Sequence, residues 1–90
     1  MVKDKFECSG SQNYMGKMSK IEVCARYCLG KASMFIFGTN QFGENKCETN
    51  AGCDCYCETS ASTDGTCNMI DNIGYRLYKF NWVHGKLNNY

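Results

Sequence analysis

The chain has 90 residues, among them eight Cys and no Pro, and its ten Lys and Arg against nine Asp and Glu give a formal net charge of +1. This length predicts one domain, residues 1–90, and the near-zero charge argues against nucleic-acid binding, which needs many clustered basic side chains. The longest compact apolar stretch, Met34–Phe37, is far shorter than the ~18–20 residues of a membrane-spanning helix, so we expect no membrane insertion.

The first predicted elements in chain order are two edge strands, one at Lys5–Cys8 and one around Tyr14. A helix is predicted next, over about residues 20–29. Ser19 and Glu22 have the S-x-x-E spacing of a capping box, in which each side chain bonds to a backbone N–H of the first helical turn. The spacing therefore predicts that the helix begins directly after Ser19.

The predicted helix has one face suited to burial. Val23, Cys24, Tyr27 and Cys28 recur at helical spacing on that face, while the charged residues lie away from it. Gly30 follows at the position where a residue in the left-handed conformation would end the helix. The pattern predicts an amphipathic helix that packs on another layer.

The predicted strands follow the helix. Met34–Thr39 is short, aromatic and bounded by turn residues, and residues 40–46 are predicted as a loop or hairpin connection. Gly52–Glu58 places Cys at every second position, and Ser60–Gly65 has the composition of a turn. Gly74–Phe80 alternates as a strand does. The two faces of this predicted strand carry Tyr75, Leu77 and Lys79 on one side and Arg76, Tyr78 and Phe80 on the other. One helix among several strands predicts an α+β architecture, with the helix packed on a small antiparallel sheet.

The spacing of the cysteines predicts how helix and sheet are joined. Cys24 and Cys28 are one helical turn apart, which separates them by ~6 Å along the axis. Same-face neighbours among Cys53, Cys55 and Cys57 are ~6.6 Å apart along a strand. Because the two distances match, we predict two parallel disulfides from the helix to two of Cys47, Cys53, Cys55 and Cys57.

The remaining cysteines are predicted to form two further bridges. Cys8 with Cys67 would join the N-terminal strand to the last third of the chain, and the last pair would close a short loop, as Cys47 with Cys53 would. An even number of cysteines in a short chain is typical of disulfide scaffolds in oxidising compartments. We therefore expect an extracellular protein whose leader is absent from this chain.

A metal site is the competing interpretation of the cysteines. A thiolate cluster could use Cys47 with Cys53, Cys55 and Cys57. Structural zinc sites more often use pairs of the form C-x₂₋₄-C with a second pair at a distance, and the chain contains no C-x-x-C. The six Tyr and five Phe also favour a packed fold, so we expect disulfides, with no metal and no cofactor.

Taken together, these motifs resemble those of the PAN/apple family. The similarity consists of a capped helix with C-x₃-C, an aromatic F-x-F strand at Phe35 and Phe37, the cysteine-bearing segment GCDCYC, and a late GYRLYKF strand containing Gly74, Leu77 and Tyr78. It covers roughly residues 8–80. The cysteine pattern is not the usual one, because the central strand carries three cysteines where the family normally has one.

The resemblance implies a recognition domain. Family members bind proteins or carbohydrates and are not enzymes, so we expect an extracellular glycan or protein partner, and a homo-oligomer is compatible with this expectation. His84 is predicted to be an exposed residue of the tail, residues 81–90, which we expect to be partly frayed. No nucleophile or carboxylate signature accompanies His84, so we expect no catalytic residues.

The candidate binding residues lie on and after the last strand. Tyr and Trp beside amide and basic side chains suit the stacking of a sugar ring, and they also suit a protein interface. The alternative is that at least half of these aromatic residues are core. A smaller candidate site is the loop segment with Asn40, Gln41, Phe42 and Glu44. A secreted effector peptide, for signalling, defence or toxicity, is the alternative function. The candidate ligand-binding residues are Tyr75, Arg76, Tyr78, Lys79, Asn81 and Trp82.

Overall fold

The computed structural model describes residues 1–39, 47 and 52–90. These residues form an α+β fold with one helix and an antiparallel sheet of five strands. The predicted loop over residues 40–46 lies outside the described residues. The elements in chain order are β1 Lys3–Cys8, β2 Asn13–Met18, α1 Ile21–Cys28, β3 Met34–Gly38, β4 Cys53–Cys57, β5 Met69–Lys79, β6 Asn81–Val83 and β7 Lys86–Asn89.

The five-stranded sheet has the order β1-β5-β3-β4-β2, with every neighbouring pair antiparallel. The two strands predicted near the N-terminus are its edges. Strand β3 lies in the centre, and all five of its residues are buried. A strand that is paired on both sides and packed on both faces needs apolar side chains at every position. The sequence MFIFG of β3 has this pattern.

The sheet has a core on each face. On the helix side, Phe35 and Phe37 pack with the half-cystines of α1 and β4 and with Tyr78 and Phe80. On the opposite side, a smaller core contains Cys8, Met34, Ile36, Tyr75 and Leu77. The predicted alternation of the last strand is therefore confirmed, and both of its faces are covered.

The predicted disulfide framework is confirmed, and the structure gives the partners of the helix cysteines, which the spacing left open. Cys24 bonds to Cys55 and Cys28 to Cys57, so the helix is joined to β4 by two parallel bridges one turn apart. Cys8 bonds to Cys67, and Cys47 bonds to Cys53. The two helix bridges hold α1 across the sheet, and with it the loop that follows the helix.

The start of the helix differs from the prediction. Lys20 is the N-cap, and no side chain caps the helix, so the Ser19–Glu22 box is not formed. The backbone carbonyl of Lys20 instead accepts the N–H groups of Val23 and Cys24. The helix begins one residue later than the motif implies, which moves Ser19 out of the N-cap position.

The end of the helix follows the prediction more closely. Gly30 has φ +85°, the left-handed conformation that glycine adopts without steric cost. The N–H groups of Lys31 and Ala32 bond to the carbonyl of Cys28. Tyr27, predicted on the buried face, is about half exposed, because Cys24, Ala25 and Cys28 form that face instead.

The tail is folded, contrary to the predicted fraying of residues 81–90. Strands β6 and β7 pair as a hairpin. His84 and Gly85 at its turn both have positive φ, 52° and 78°, as the central residues of a type I′ turn require. Tyr90 follows β7, and its ring lies edge-on against Phe35 with ring centroids 5.6 Å apart. The same ring also lies edge-on to those of Tyr78 and Phe80.

Replacing Tyr90 by Ala is expected to lower the free energy of unfolding by about 1–2 kcal/mol, because the ring packs on a buried aromatic cluster. The measurement is urea denaturation followed by circular dichroism. Asn88→Ala, at an exposed position of β7, the strand directly before Tyr90, is the control and is expected to change stability by less than about 0.5 kcal/mol. Equal stability of the two variants would show that the tail does not pack on the core.

Candidate functional site: a groove beside Trp82

The six predicted binding residues do not form one surface. Tyr75 is 6% exposed and Tyr78 is 5% exposed, and they belong to the cores on opposite faces of the sheet. Their predicted role in an exposed aromatic surface is therefore wrong. The alternative, that at least half of the aromatic residues in this segment are core, is the one the structure supports.

Arg76 also lies away from the other candidates. Its Nε donates to Asp4 Oδ1 at 3.1 Å, across the pairing of β1 and β5. Such a partly exposed ion pair contributes little to stability, but it orients the guanidinium toward the N-terminal strand. A role of Arg76 in ligand binding stays a prediction.

The other three candidates, Lys79, Asn81 and Trp82, lie together along one groove. This Trp82 groove has a volume of about 760 Å³ and is open to solvent. Three segments form its walls, the end of the helix, the turn after β4, and the junction of β5 with β6. Its lining residues are Leu29, Gly30, Lys31, Ala32, Ser33, Thr59, Ala61, Thr63, Asp64, Gly65, Lys79, Phe80, Asn81 and Trp82.

One backbone and one side-chain hydrogen bond hold the three walls together. The N–H of Phe80 donates to the carbonyl of Ser33, which joins the end of β5 to the segment after the helix. The hydroxyl of Ser33 donates to the carbonyl of Ser62 in the turn. Because both bonds involve Ser33, this residue links all three walls at one point.

Gly65 makes the turn wall compatible with the β5 wall. Its φ is +81°, and a Cβ at this position would lie 2.8 Å from Cδ of Lys79. A side chain here would be strained by the backbone and would also displace the stem of Lys79. The glycine therefore lets the Lys79 side chain lie close to the turn.

The turn wall also holds a fixed carboxylate. The hydroxyls of Thr66 and Ser62 donate to Oδ1 of Asp64 at 2.8 and 2.9 Å. Hydrogen bonds from Thr66 first, and from Ser62, lower the pKa of Asp64, because they favour the ionised carboxylate. Asp64 is exposed and offers a permanent negative charge in a groove that also contains Lys31 and Lys79.

The aromatic part of the groove is Trp82, which is 57% exposed. Its strand is held by the hairpin, in which Trp82 pairs with Leu87 and the Asn81 amide donates to the side-chain oxygen of Asn89. The indole therefore has a fixed backbone and an exposed ring. The groove combines this ring with hydroxyl, amide, ammonium and carboxylate groups.

The titratable side chains that line the groove are Lys31, Asp64 and Lys79. Asp64 is the one carboxylate among its lining residues, and none of the lining residues is a His or a Cys. His84 is exposed at the hairpin turn.

Three cysteine sulfur atoms lie close enough together to be considered as metal ligands. The Sγ atoms of Cys24, Cys28 and Cys55 lie within 4.8 Å of one another, and all three residues are buried. Each of these atoms belongs to a disulfide, whereas zinc is bound by thiolates. The cluster is therefore the meeting point of the two helix bridges.

Sequence reasoning missed most of the groove. The sequence predicts a helix end at residues 29–30 and a turn at residues 60–65, but nothing local in the sequence places these segments beside Trp82. The smaller predicted site, Asn40, Gln41, Phe42 and Glu44, lies outside the described residues.

No family model, curated protein or solved structure matches the chain. Within the part of the chain that the structure describes, no helix has the length and apolarity needed to span a membrane.

Proposed function

We propose that the chain is a secreted, non-enzymatic recognition module, PAN/apple-like in fold, that binds a carbohydrate in the Trp82 groove. The observation that carries the proposal is the exposed indole of Trp82 on the wall of a groove lined with hydroxyl, amide and charged side chains. A sugar ring has C–H groups on its faces and hydroxyls around its edge. The faces suit an aromatic ring, and the edge suits the polar groups of this lining.

The size of the groove favours a carbohydrate over a protein. Stable protein interfaces bury about 1,200–2,000 Å² in total with an apolar centre. The lining mixes apolar side chains with polar ones, and its charges, Lys31 and Lys79 against Asp64, are of both signs. An open groove of this volume and mixed composition suits a short glycan.

The four disulfides support the secreted location. All eight cysteines are paired, and such frameworks persist in oxidising compartments. They also explain how a small domain keeps a rigid groove, since two of the bridges hold the helix whose end forms one wall.

Trp82→Ala is expected to weaken glycan binding by at least about ten-fold, because the stacking surface is lost. The test is a glycan array probed with the intact 90-residue chain, followed by calorimetric titration of the best ligand. Leu87→Ala is the matched control, since Leu87 lies opposite Trp82 on the same hairpin but does not line the groove. Equal affinity of both variants would contradict the proposal, and leakage from lipid vesicles without glycan binding would favour an effector peptide instead.

A further inference from the structure

A second cluster of aromatic and polar side chains lies on the sheet, on the face opposite the helix. This tyrosine face consists of Tyr14 and Lys17 on β2, Asp54 and Tyr56 on β4, and Tyr75 on β5. None of these residues lines the Trp82 groove.

The register of the strands brings these side chains together. Tyr14 pairs with Tyr56 and Lys17 with Asp54 across the β2–β4 ladder. Gly38 of β3 lies between Asp54 and Tyr75 in the next row. Since Gly38 has no side chain, the phenol of Tyr75 can reach across it, and its hydroxyl donates to Asp54 Oδ2 at 3.3 Å.

Asp54 is the centre of the hydrogen bonds on this face. Its Oδ1 accepts the hydroxyl of Tyr14 at 3.1 Å and Nζ of Lys17 at 3.0 Å. Burial first, and then the nearby carboxylate, raise the pKa of Tyr75, and the same causes raise the pKa of Tyr14. Both phenols therefore keep their protons at neutral pH and remain hydrogen-bond donors.

The rings form a row that is exposed at one end. The centroids of Tyr14 and Tyr56 are 4.9 Å apart, and those of Tyr56 and Tyr75 are 6.1 Å apart. Tyr75 is buried and Tyr56 half-buried, whereas Tyr14 is 51% exposed. The side chain of Lys17 is also half exposed, so one ring and one ammonium group meet the solvent side by side.

These features suit an uncharged ligand with both apolar and hydroxyl surfaces. The charges of Lys17 and Asp54 cancel, so the face does not select an anion or a cation by net charge. A tyrosine held by a hydrogen bond loses little conformational entropy on binding, because its ring is already oriented. The ammonium group has further N–H donors for hydroxyl oxygens.

We propose that the tyrosine face is a second binding site, which takes an uncharged saccharide whose ring stacks on Tyr14 and whose hydroxyls bond to Lys17. The site is separate from the Trp82 groove. Lys79 of the groove and Tyr75 of the tyrosine face lie four residues apart on β5, about 13 Å along the strand. The proposal uses no groove residue, so either site can fail its test without affecting the other.

The test is titration of the isotope-labelled 90-residue chain with uncharged hexasaccharides of glucose, mannose and N-acetylglucosamine, followed by ¹H–¹⁵N correlation spectra. With at least one probe, the amides of Tyr14, Lys17, Asp54 and Tyr56 are expected to shift in a saturable way. Tyr14→Ala is expected to weaken this binding at least about ten-fold, and Trp82→Ala is expected to leave it unchanged.

Tyr27→Ala is the matched control, because Tyr27 on the helix is 52% exposed, almost the same as Tyr14. It is expected to bind as the unaltered chain does. Lys17→Met is a second variant, which retains all three rings, and it is expected to weaken binding three-fold or more. It replaces Tyr14→Ala as the test if that variant does not fold. Absence of shifts at this face with all three probes overturns the proposal, as does equal binding by the Tyr14, Lys17 and Tyr27 variants.

Discussion

Replacing Cys24, Cys28, Cys55 and Cys57 together by Ala removes both helix bridges and is expected to lower the free energy of unfolding by at least about 4 kcal/mol, from the loop entropy that the bridges remove in the unfolded chain. The bridged cysteines are 31 and 29 residues apart in sequence, so the pair closes a long loop, and either bridge alone would keep most of that loop closed. All four cysteines are fully buried, so the lost sulfur atoms also leave space in the core. The measurement is urea denaturation of the oxidised protein at constant pH.

The bridge between Cys47 and Cys53 provides the matched control. Its cysteines are also buried, but they are only 6 residues apart, so the same loop-entropy relation gives about 2 kcal/mol for the corresponding double Ala variant. Loss of both helix bridges should therefore cost at least about twice as much as loss of this short-loop bridge. Equal losses would mean that the helix bridges do not stabilise the fold by closing long loops.

A second large effect is expected from pH, through Glu58. This side chain is fully buried at the end of β4, where one carboxylate oxygen accepts the backbone N–H of Cys8 and the other has no hydrogen-bond partner among the described residues. Burial raises the pKa of Glu58 to about 7, and the nearby carboxylate of Glu7 adds to this effect. The Cys8 N–H and the Gln12 side chain act in the opposite direction.

The direction of the pH effect follows from proton binding. Between the ordinary Glu pKa of 4.5 and about 7, folded Glu58 holds its proton while the unfolded chain releases it. Stability therefore falls as pH rises through this window, by about 3 kcal/mol in total. This is the reverse of the usual behaviour of a carboxylate paired with a cation.

The test is urea denaturation between pH 4.5 and 8 for the unaltered chain and for Glu58→Gln. The amide oxygen of Gln can still accept the Cys8 N–H but does not titrate, so this variant is expected to lose most of the pH dependence. Asp71→Asn, at an exposed position of β5, is expected to keep it. An unchanged slope in the Glu58 variant would show that Glu58 is not the titrating group.

The disulfide framework was predictable because its geometry is local. One turn of helix and two residues of strand have nearly the same length, so Cys24 and Cys28 could be matched to every second residue of β4 without any knowledge of the sheet order. The observed pairing of Cys24 with Cys55 and of Cys28 with Cys57 follows this match, although the spacing alone did not choose these two partners. Capping was less predictable, since Ser19 has the right motif but lies one residue too early.

Exposure was harder to predict than strand alternation. The pattern of β5 correctly separates Tyr75 from Tyr78, but it does not say that both faces are covered. The cover comes from distant parts of the chain, the helix on one side and the region around the Cys8–Cys67 bridge on the other. Strand periodicity therefore assigns a face to each aromatic residue, and burial depends on tertiary packing.

The groove and the tyrosine face show the same limit. Lys79, Asn81 and Trp82 were predicted as binding residues, yet Lys31 and Asp64 are brought to them only by the folded chain. Tyr14 and Asp54 are 40 residues apart, and only the β2–β4 register makes them neighbours. Sites built from several segments become visible once the sheet order is known.

Glycan binding beside Trp82 can be measured directly, because Trp82 is the single tryptophan of the chain. Because Trp82 is exposed in the groove, its fluorescence is expected to shift to shorter wavelength and to saturate as the best ligand from the glycan array is added to the oxidised protein. The Leu87→Ala control should show the same response. A glycan that binds with measurable affinity while the Trp82 emission stays unchanged would contradict the proposed groove.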